Sequence, residues 1–332
     1  MAIDIGRRQF VVGLSGTAIA LPLAARAQQP TLPVVGFISG GSSDADGRYA
    51  GAFRKGLNEI GYVDSQNVAV EYHWLEGRFD RVPALVADLI RRRVTVIATP
   101  GTPVAALAAK SATATIPIVF SAPGDPVQLG LVASLARPGG NLTGINYFSS
   151  ELVTKRLRLL HDLVPKAIRI AVLINPANAL TAEPTLREVQ EAAGNIGLRI
   201  QIFNATTIDE IDAAFGTLAN ERPDALFVGG DAFFFSQRGQ IATLALHERM
   251  PAAFANSDAV AVGGLMGYST DIVDVFRQVG VYIGKILKGA KPADLPVQQS
   301  TKFVFAINMK TARALGIEVP LGLLSIADEV IE

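Results

Sequence analysis

Short apolar runs rich in β-branched residues alternate with amphipathic segments along most of this chain of 332 residues. In the first half, the runs predict strands at Val34–Ser39, Val68–Leu75, Val94–Thr99 and Ile116–Ser121. The segments between them predict helices over Tyr49–Gly61 and over Val82–Arg93. Continuous β-branched runs suit strands that are buried on both faces of a parallel sheet. The alternation therefore predicts an α/β protein whose parallel sheets have helices on both faces.

The same alternation resumes after residue 168, so the chain has two similar halves. The second half has predicted strands at Ile170–Ile174, Ile200–Phe203 and Ala225–Val228 and predicted helices at Leu186–Ile196, Ile208–Asn220 and Gln240–Arg249. In both halves a helix-period segment ends at a glycine, Gly61 or Gly197, and leads into the next strand. The similarity is weak residue by residue, and any two βα stretches share some of it. Because the order of the elements repeats, we interpret the pattern as two doubly wound lobes.

The N-terminus has the three parts of a cleaved export signal. Arg7 and Arg8 form a positive start, Phe10–Leu21 is an apolar run, and Ala25–Ala27 has the small residues of a cleavage site. The apolar run is shorter than the ~20 residues of a membrane-spanning helix. The paired arginines favour the twin-arginine route, while ordinary secretion and a buried N-terminal helix are the alternatives. We therefore expect residues 1–27 to be removed and the mature protein to be soluble in the periplasm.

Composition excludes several classes of function. The chain has no cysteine, so it has no disulfide, no thiolate metal site and no lipidated cysteine. With 30 basic and 30 acidic residues, it offers no electrostatic reason to bind nucleic acid or an anionic membrane. Beyond the signal, no apolar stretch is long enough to span a membrane, so we expect no membrane insertion after cleavage.

An enzyme would need reactive groups that this sequence does not bring together. His73, His161 and His247 are the only histidines, and they lack the short spacing of metal ligands. Gly280–Lys285 resembles a phosphate-binding loop one residue short, but it lies in a helix-period segment. No dinucleotide-binding glycine pattern is present. We therefore expect no catalysis, no metal and no cofactor, and an α/β hydrolase or transferase is the less favoured alternative.

Small polar residues follow the predicted strands, at the positions where ligands of open α/β sheets bind. Hydroxyls, amides and free backbone N–H groups at helix starts suit a carboxylate or another small anion. Each residue could instead cap the following helix, but the whole set at one cleft favours binding. The candidates in the first half are Ser39, Ser42, Thr99, Gly101, Thr102, Ser121, Ala122 and Asp125. The candidates in the second half are Asn175, Asn178, Asp231, Phe233, Ser257 and Tyr268.

Two of these candidates carry a negative charge that a ligand ammonium group could meet. Asp125 and Asp231 each follow a predicted strand, and each could instead cap the next helix. Phe233 lies in a run of three phenylalanines, of which at least one should face the cleft. The sequence thus predicts hydroxyls for a carboxylate, with an acidic group and aromatic rings for the rest of the ligand.

Several stretches of the chain together resemble one protein family. They are EYHWLEGRFD at 71–80, IPIVFSAPGDP at 116–126, ARPGGNLTG at 136–144, ILKGAKPADLP at 286–296, and residues 302–315. The chain resembles the soluble substrate-binding proteins of ABC transporters, in the branch related to tryptophan-type binding proteins. The resemblance covers residues from about 34 to 330. It implies a type I periplasmic-binding fold, with two lobes joined by three crossings that close on a small ligand. It also implies a permease and an ATPase as partners.

The three implied crossings allow the lobes to be assigned. We expect residues 30–146 plus 268–298 in the first lobe and residues 147–267 plus 299–332 in the second. Tyr147 and Tyr268 would then lie at crossings, where a ring could cover the bound molecule. We expect a periplasmic solute-binding component of an ABC-type uptake system that binds an amino acid or a related carboxylate between the lobes. An exported ligand sensor or chemoreceptor accessory of the same fold is the alternative.

Overall fold

The computed structural model describes residues 32–147 and 150–332, and the predicted export signal lies outside this part of the chain. Two separate sheets, each accompanied by helices, account for the fold. Within the described residues, no helix is both long and apolar enough to cross a membrane.

The first sheet has six strands in the order β11-β5-β4-β3-β1-β2, and all of its strand pairs are parallel. Its strands are β1 (Val34–Ser39), β2 (Ala69–Trp74), β3 (Val96–Thr99), β4 (Ile118–Ala122), β5 (Leu142–Asn146) and β11 (Gln298–Gln299). The helices of this lobe are α1 (Ser43–Glu59), α2 (Val82–Arg91), α3 (Pro103–Ala112) and α10 (Ile272–Leu287). Strands β3, β4 and β5 are buried along their whole length, and for β3 and β4 the apolar runs in the sequence predict this burial.

The second sheet has seven strands in the order β13-β12-β10-β9-β8-β6-β7. Its strands are β6 (Arg169–Ile174), β7 (Arg199–Asn204), β8 (Ala225–Val228), β9 (Ala252–Phe254), β10 (Met266–Thr270), β12 (Phe303–Asn308) and β13 (Glu329–Ile331). The helices of this lobe are α4 (Ser150–Leu163), α5 (Ala179–Ile196), α6 (Ile208–Glu221), α7 (Ala232–Ser236), α8 (Arg238–His247), α9 (Asp258–Ala261), α11 (Met309–Leu315) and α12 (Leu321–Ile326). Strands β10 and β12 pair antiparallel, because the chain returns to this sheet from the other lobe.

The predicted α/β fold class is confirmed, and the predicted strands agree with the observed ones to within two residues. The starts of α2 and α6 were predicted correctly, at Val82 and Ile208, but α1 and α5 begin earlier than predicted. Helix α1 begins at Ser43 rather than Tyr49, because its first turns are polar and carry Asp44 and Asp46, which favour a helix N-terminus without apolar periodicity. Helix α5 begins at Ala179 rather than Leu186, because Pro184 lies inside it and interrupts the pattern that marks a helix.

Helix α10 reaches the first lobe after the chain has built most of the second, and it packs closely on α1. A Cβ added at Gly280 would lie 2.1 Å from the Phe53 carbonyl oxygen, and one at Gly56 would lie 1.9 Å from the Arg277 carbonyl oxygen. Glycine is therefore needed where the two helices approach each other. The segment that resembles a phosphate-binding loop in sequence is a helix-packing surface in the structure.

Within the described residues, the chain leaves one sheet for the other after β5, after β10 and after β11. Hydrogen bonds tie these three segments together. The Thr270 hydroxyl donates to the Tyr147 carbonyl at 2.8 Å, and the Ser300 N–H donates to the Asn146 carbonyl at 2.7 Å. The expected lobe limit at 268 falls inside β10. The limit at 298 falls inside β11, because an edge strand of two residues gives no pattern in the sequence.

Candidate ligand-binding site

Three hydroxyl residues lie together at the carboxyl edge of the first sheet. Ser39, Thr99 and Ser121 stand at or next to the ends of β1, β3 and β4, which are neighbours in the sheet. All three are buried, with exposed fractions of 3%, 0% and 0%. Buried hydroxyls at the ends of adjacent parallel strands form an edge at which a small polar ligand can be held.

The loop after β3 folds back over this edge. The Gly101 N–H donates to the Ser121 Oγ at 2.8 Å, and Gly101 has a φ of +68°, which suits glycine. The Thr102 hydroxyl donates to the Pro100 carbonyl at 3.1 Å. The Thr99 Oγ1 is buried and has no hydrogen-bond partner among the described residues. A buried hydroxyl without a partner is costly, so Thr99 is well placed to bond to a ligand.

Tyr147 joins this edge from the first crossing. Its N–H donates to the carbonyl of Ala122, a buried candidate at the end of β4, at 3.1 Å. Its hydroxyl is 3.9 Å from the position that a Cβ on Gly101 would take. Burial raises the pKa of the Tyr147 hydroxyl, so the group stays protonated and can donate a hydrogen bond.

Two first-lobe candidates form hydrogen bonds with residues that follow them closely in the chain. The carbonyl of Ser42 accepts from the Asp46 N–H at 2.9 Å in the first turn of α1. Asp125 is exposed, and its Oδ1 accepts from the N–H groups of Val127 at 2.8 Å and Gln128 at 3.4 Å. Asp125 thus caps a turn at residues 126–130, and not the start of a helix as the sequence suggested.

A carboxylate with two amides lies at the matching edge of the second sheet. Asn175 and Asn178 follow β6, and Asp231 follows the neighbouring strand β8. The Asn175 Nδ2 donates to one oxygen of Asp231 at 2.9 Å, and the Asn178 Nδ2 donates to the other at 2.8 Å. The Phe233 N–H also donates to Asp231, at 2.9 Å, at the start of α7. Asp231 is half-buried and held in a fixed orientation, and its oxygens keep lone pairs for a cationic group.

The remaining second-lobe candidates separate into two groups. Phe233 and Ser257 are half-buried at the starts of α7 and α9, on the same edge as Asp231. The ring of Tyr268 stacks 6.1 Å from Phe303 and meets Phe305 edge-on at 6.2 Å. Tyr268 thus packs against the core cluster of the second lobe, whose members include Phe305.

Contacts between the two lobes were not foreseen from the sequence. Arg48 of α1 pairs with Asp258 of α9, and the Tyr49 hydroxyl donates to Asp258 Oδ2 at 2.7 Å. Phe235 of α7 packs against the core cluster of the first lobe that contains Phe37, Phe53 and Phe276. No local pattern marks these residues, because their partners lie about two hundred positions away. Among the described residues, no three His, Asp or Glu side chains gather as a metal site.

Two α/β lobes that are linked by three crossings and face each other with their strand ends define the type I periplasmic-binding fold. Residues 32–331 match the model of one family, described as ABC transporter substrate binding protein. The chain therefore belongs to this family, which confirms the resemblance seen in the sequence. The family is one of substrate-binding proteins rather than enzymes, as the sequence led us to expect.

A curated relative is the tyrosine-binding protein of Clostridioides difficile (strain R20291). It is 26% identical over 266 residues, which cover 80% of this chain and 76% of the relative. The identity is low, but it extends over both lobes.

Two solved structures also match the chain at 26% identity. One is an ABC domain from Streptococcus pneumonia in complex with L-Trp; it covers 91% of this chain and 100% of its own, with a TM-score of 0.82. The other is the ligand-free, open structure of a substrate-binding protein with adhesive properties from Clostridium difficile. It covers 90% of this chain and 99% of its own, with a TM-score of 0.70.

Proposed function

We propose that this protein is the periplasmic solute-binding component of an ABC-type uptake system and that it binds an amino acid between its lobes. One observation carries the proposal. The edge of the first lobe offers neutral buried hydroxyls, and the edge of the second offers a carboxylate held by two amides. An amino acid has a matching negative end and positive end.

The ligand carboxylate would lie against the first lobe. Thr99 has a hydroxyl without a protein partner, and the Ser121 hydroxyl accepts from Gly101 while its own proton stays available. The protonated hydroxyl of Tyr147 lies beside Gly101. Neutral donors of this kind hold a carboxylate without placing a second charge in a buried site.

The ligand ammonium would lie against the second lobe. Asp231 is the candidate acceptor, because Asn175 and Asn178 orient its carboxylate and leave lone pairs free. The role of Asp125 as a second acceptor loses support, since that side chain is exposed and caps its own turn.

The side chain of the ligand would lie near the aromatic rings of Tyr147 and Phe233. The relatives support an aromatic side chain, since one is called a tyrosine-binding protein and another is in complex with L-Trp. Related aromatic acids without an amine would use the first lobe alone and should bind more weakly.

Closure of the lobes would provide the transport signal. Ligand contacts that exist only when the lobes are together shift the population to the closed form. At equal identity, the chain superposes better on the L-Trp complex than on the ligand-free, open structure, with TM-scores of 0.82 and 0.70. This supports a closed arrangement of the lobes. A permease and an ATPase would recognise that form, and the export signal would place the protein in the periplasm.

The test is thermal unfolding of the purified protein with a panel of ligands. The panel contains the L-amino acids, aromatic acids that lack an amine, and dicarboxylates. A ligand at a hundredfold its dissociation constant should add about 2.7 kcal/mol of stability. Stabilisation by aromatic amino acids supports the proposal. Stabilisation only by acids without an amine rejects the role of Asp231, and no stabilisation by any member rejects the amino-acid assignment.

A further inference from the structure

A cluster of charged and aromatic side chains joins the two lobes. Asp258 is the first residue of α9 in the second lobe, and α1 of the first lobe engages both of its carboxylate oxygens. Arg48 forms an ion pair with Oδ1, and the Tyr49 hydroxyl donates to Oδ2 at 2.7 Å. Tyr49 and Asp258 are only 4% and 9% exposed, so water competes little for the hydrogen bond between them.

Asp46, also on α1, is close enough to Arg238 of the second lobe for the arginine charge to lower its pKa. Burial raises the pKa of Asp46 on α1, and a hydrogen bond from Ser39 and the charges of Arg238 and Arg48 oppose that rise. Arg238 belongs to α8 of the second lobe, and its guanidinium lies 4.6 Å from the ring centre of Phe235. Along α1 the first lobe thus presents an acid and a base, and the second lobe presents the complementary base and acid.

Aromatic packing supports the charged contacts. The ring of Phe235 lies 6.5 Å from the ring of Tyr49 and packs against the core cluster of the first lobe. Opening of the lobes would expose this ring and leave both oxygens of Asp258 to water. The contacts would therefore be lost together.

These contacts differ from the proposed ligand contacts. Arg48, Tyr49 and Asp258 bond to one another, and none of them is among the strand-end residues that we assign to the ligand. In the closed form these contacts are therefore additional to any contacts that a ligand makes.

We propose that Arg48, Tyr49 and Asp258 form an interlobe latch that populates the closed form before ligand arrives and thereby sets the affinity. The proposal rests on the proposed function, because it takes the cleft between the lobes as the binding site. A larger closed population raises the apparent affinity in proportion, since less of the binding free energy is used for closure.

The test measures the distance between the lobes without any ligand. The chain has no cysteine, so Val104→Cys and Ile208→Cys place two spin labels without background labelling. These residues lie in the first turns of α3 and α6, one in each lobe, and are about half exposed. Pulsed EPR then reports a short distance for the closed form and a long distance for the open form.

We expect both distances in the labelled parent protein. Asp258→Asn should lower the ratio of closed to open form by about tenfold, as expected when hydrogen bonds to a charged group are lost. Tyr49→Phe removes one hydroxyl and should lower the ratio less. Asp162→Asn changes an exposed carboxylate of α4 in the same way and should leave the distances unchanged.

Two results would overturn the latch: a labelled parent that shows only the long distance, or an Asp258→Asn variant with an unchanged distribution. Arg48→Gln repeats the test at the other end of the ion pair. Because the Arg48 side chain is exposed, this variant should fold normally. Because no ligand is present, failure of the latch is distinct from failure of the ligand assignment.

Discussion

The two lobes offer different chemistry at equivalent edges of their sheets. The first lobe ends its central strands in the hydroxyls of Ser39, Thr99 and Ser121, which are neutral and buried. The second lobe follows its central strands with Asn175 and Asp231, which are polar or charged and half-buried. The repeated βα pattern therefore places a candidate site at the same position in each lobe, but the side chains at the two positions suit different chemical groups.

Under the proposed function, this difference fixes the orientation of the ligand. An amino acid would place its carboxylate at the first lobe and its ammonium group at the second. The lobes also differ in assembly, because the first lobe is completed by α10, which follows most of the second lobe in the chain.

Disruption of the packing of α10 in the first lobe should cause the largest loss of stability. Gly280→Ala places a Cβ against the Phe53 carbonyl, so α1 and α10 must move apart, and we expect a loss of about 3 kcal/mol in the free energy of unfolding. Urea unfolding measures this loss. The control is Gly194→Ala in α5, where a Cβ meets nothing within 4 Å and should stabilise the helix by up to about 1 kcal/mol. Equal effects of the two variants would contradict the packing argument.

Removal of the charge at the second edge should affect only ligands that have an amine. Asp231→Asn keeps the shape of the side chain, and we expect the affinity for L-tryptophan to fall by about 10- to 100-fold. The affinity for indole-3-propionate, which lacks the amine, should stay the same. Isothermal titration calorimetry measures both.

Asp125→Asn is the matched control for Asp231, since Asp125 is exposed and caps its own turn. It should leave both affinities unchanged. If Asp125→Asn weakens binding and Asp231→Asn does not, the orientation proposed for the ligand is wrong.

Removal of a hydroxyl at the first edge should have opposite effects on stability and on binding. Thr99→Val removes a buried oxygen that has no described partner, so the ligand-free protein should gain about 1 kcal/mol of stability. The affinity for L-tryptophan should fall by about tenfold. Thr102→Val, which loses a bond to the Pro100 carbonyl, should instead lower stability. Urea unfolding and calorimetry test both variants, and a loss of stability in Thr99→Val would contradict the prediction.

The smallest expected effect is on the pH dependence of stability. It concerns Asp274 of α10, which accepts a hydrogen bond from Lys302 in the third segment that joins the lobes. Burial raises the pKa of Asp274, but hydrogen bonds from Arg277, Lys302 and Gln278 outweigh it and hold the pKa below its usual value. Asp274 therefore contributes stability above the pKa of the unfolded chain, near pH ~4, and this stability is lost as the pH falls through the folded pKa.

Asp274→Asn should accordingly weaken the decline in stability between neutral and acidic pH. Urea unfolding at pH values from 7 to ~3 measures the decline, with Asp162→Asn as the control. If stability declines equally in Asp274→Asn and in the parent protein, Asp274 does not contribute to the loss of stability in acid.

The sequence alone was sufficient to predict the α/β class and the strands β1–β4 and β6–β8, whereas short edge strands such as β11 and β13 gave no pattern. Apolar runs such as those of β1 and β8 are local signals, and the predicted and observed limits of these two strands are identical. The strand-end hydroxyls were also predictable, because the carboxyl edge of a parallel sheet follows from strand direction. The five stretches of resemblance led to the family that the comparison with known proteins then established.

The tertiary structure alone decided which polar residues act together. Asp125 and Asp231 look alike in sequence, but one caps its own turn and the other is held by Asn175 and Asn178. The glycines of α10 and the bond from Tyr49 to Asp258 join segments more than 200 positions apart. A local pattern carries information about burial and periodicity, whereas such contacts depend on how two lobes and a returning helix are placed in space.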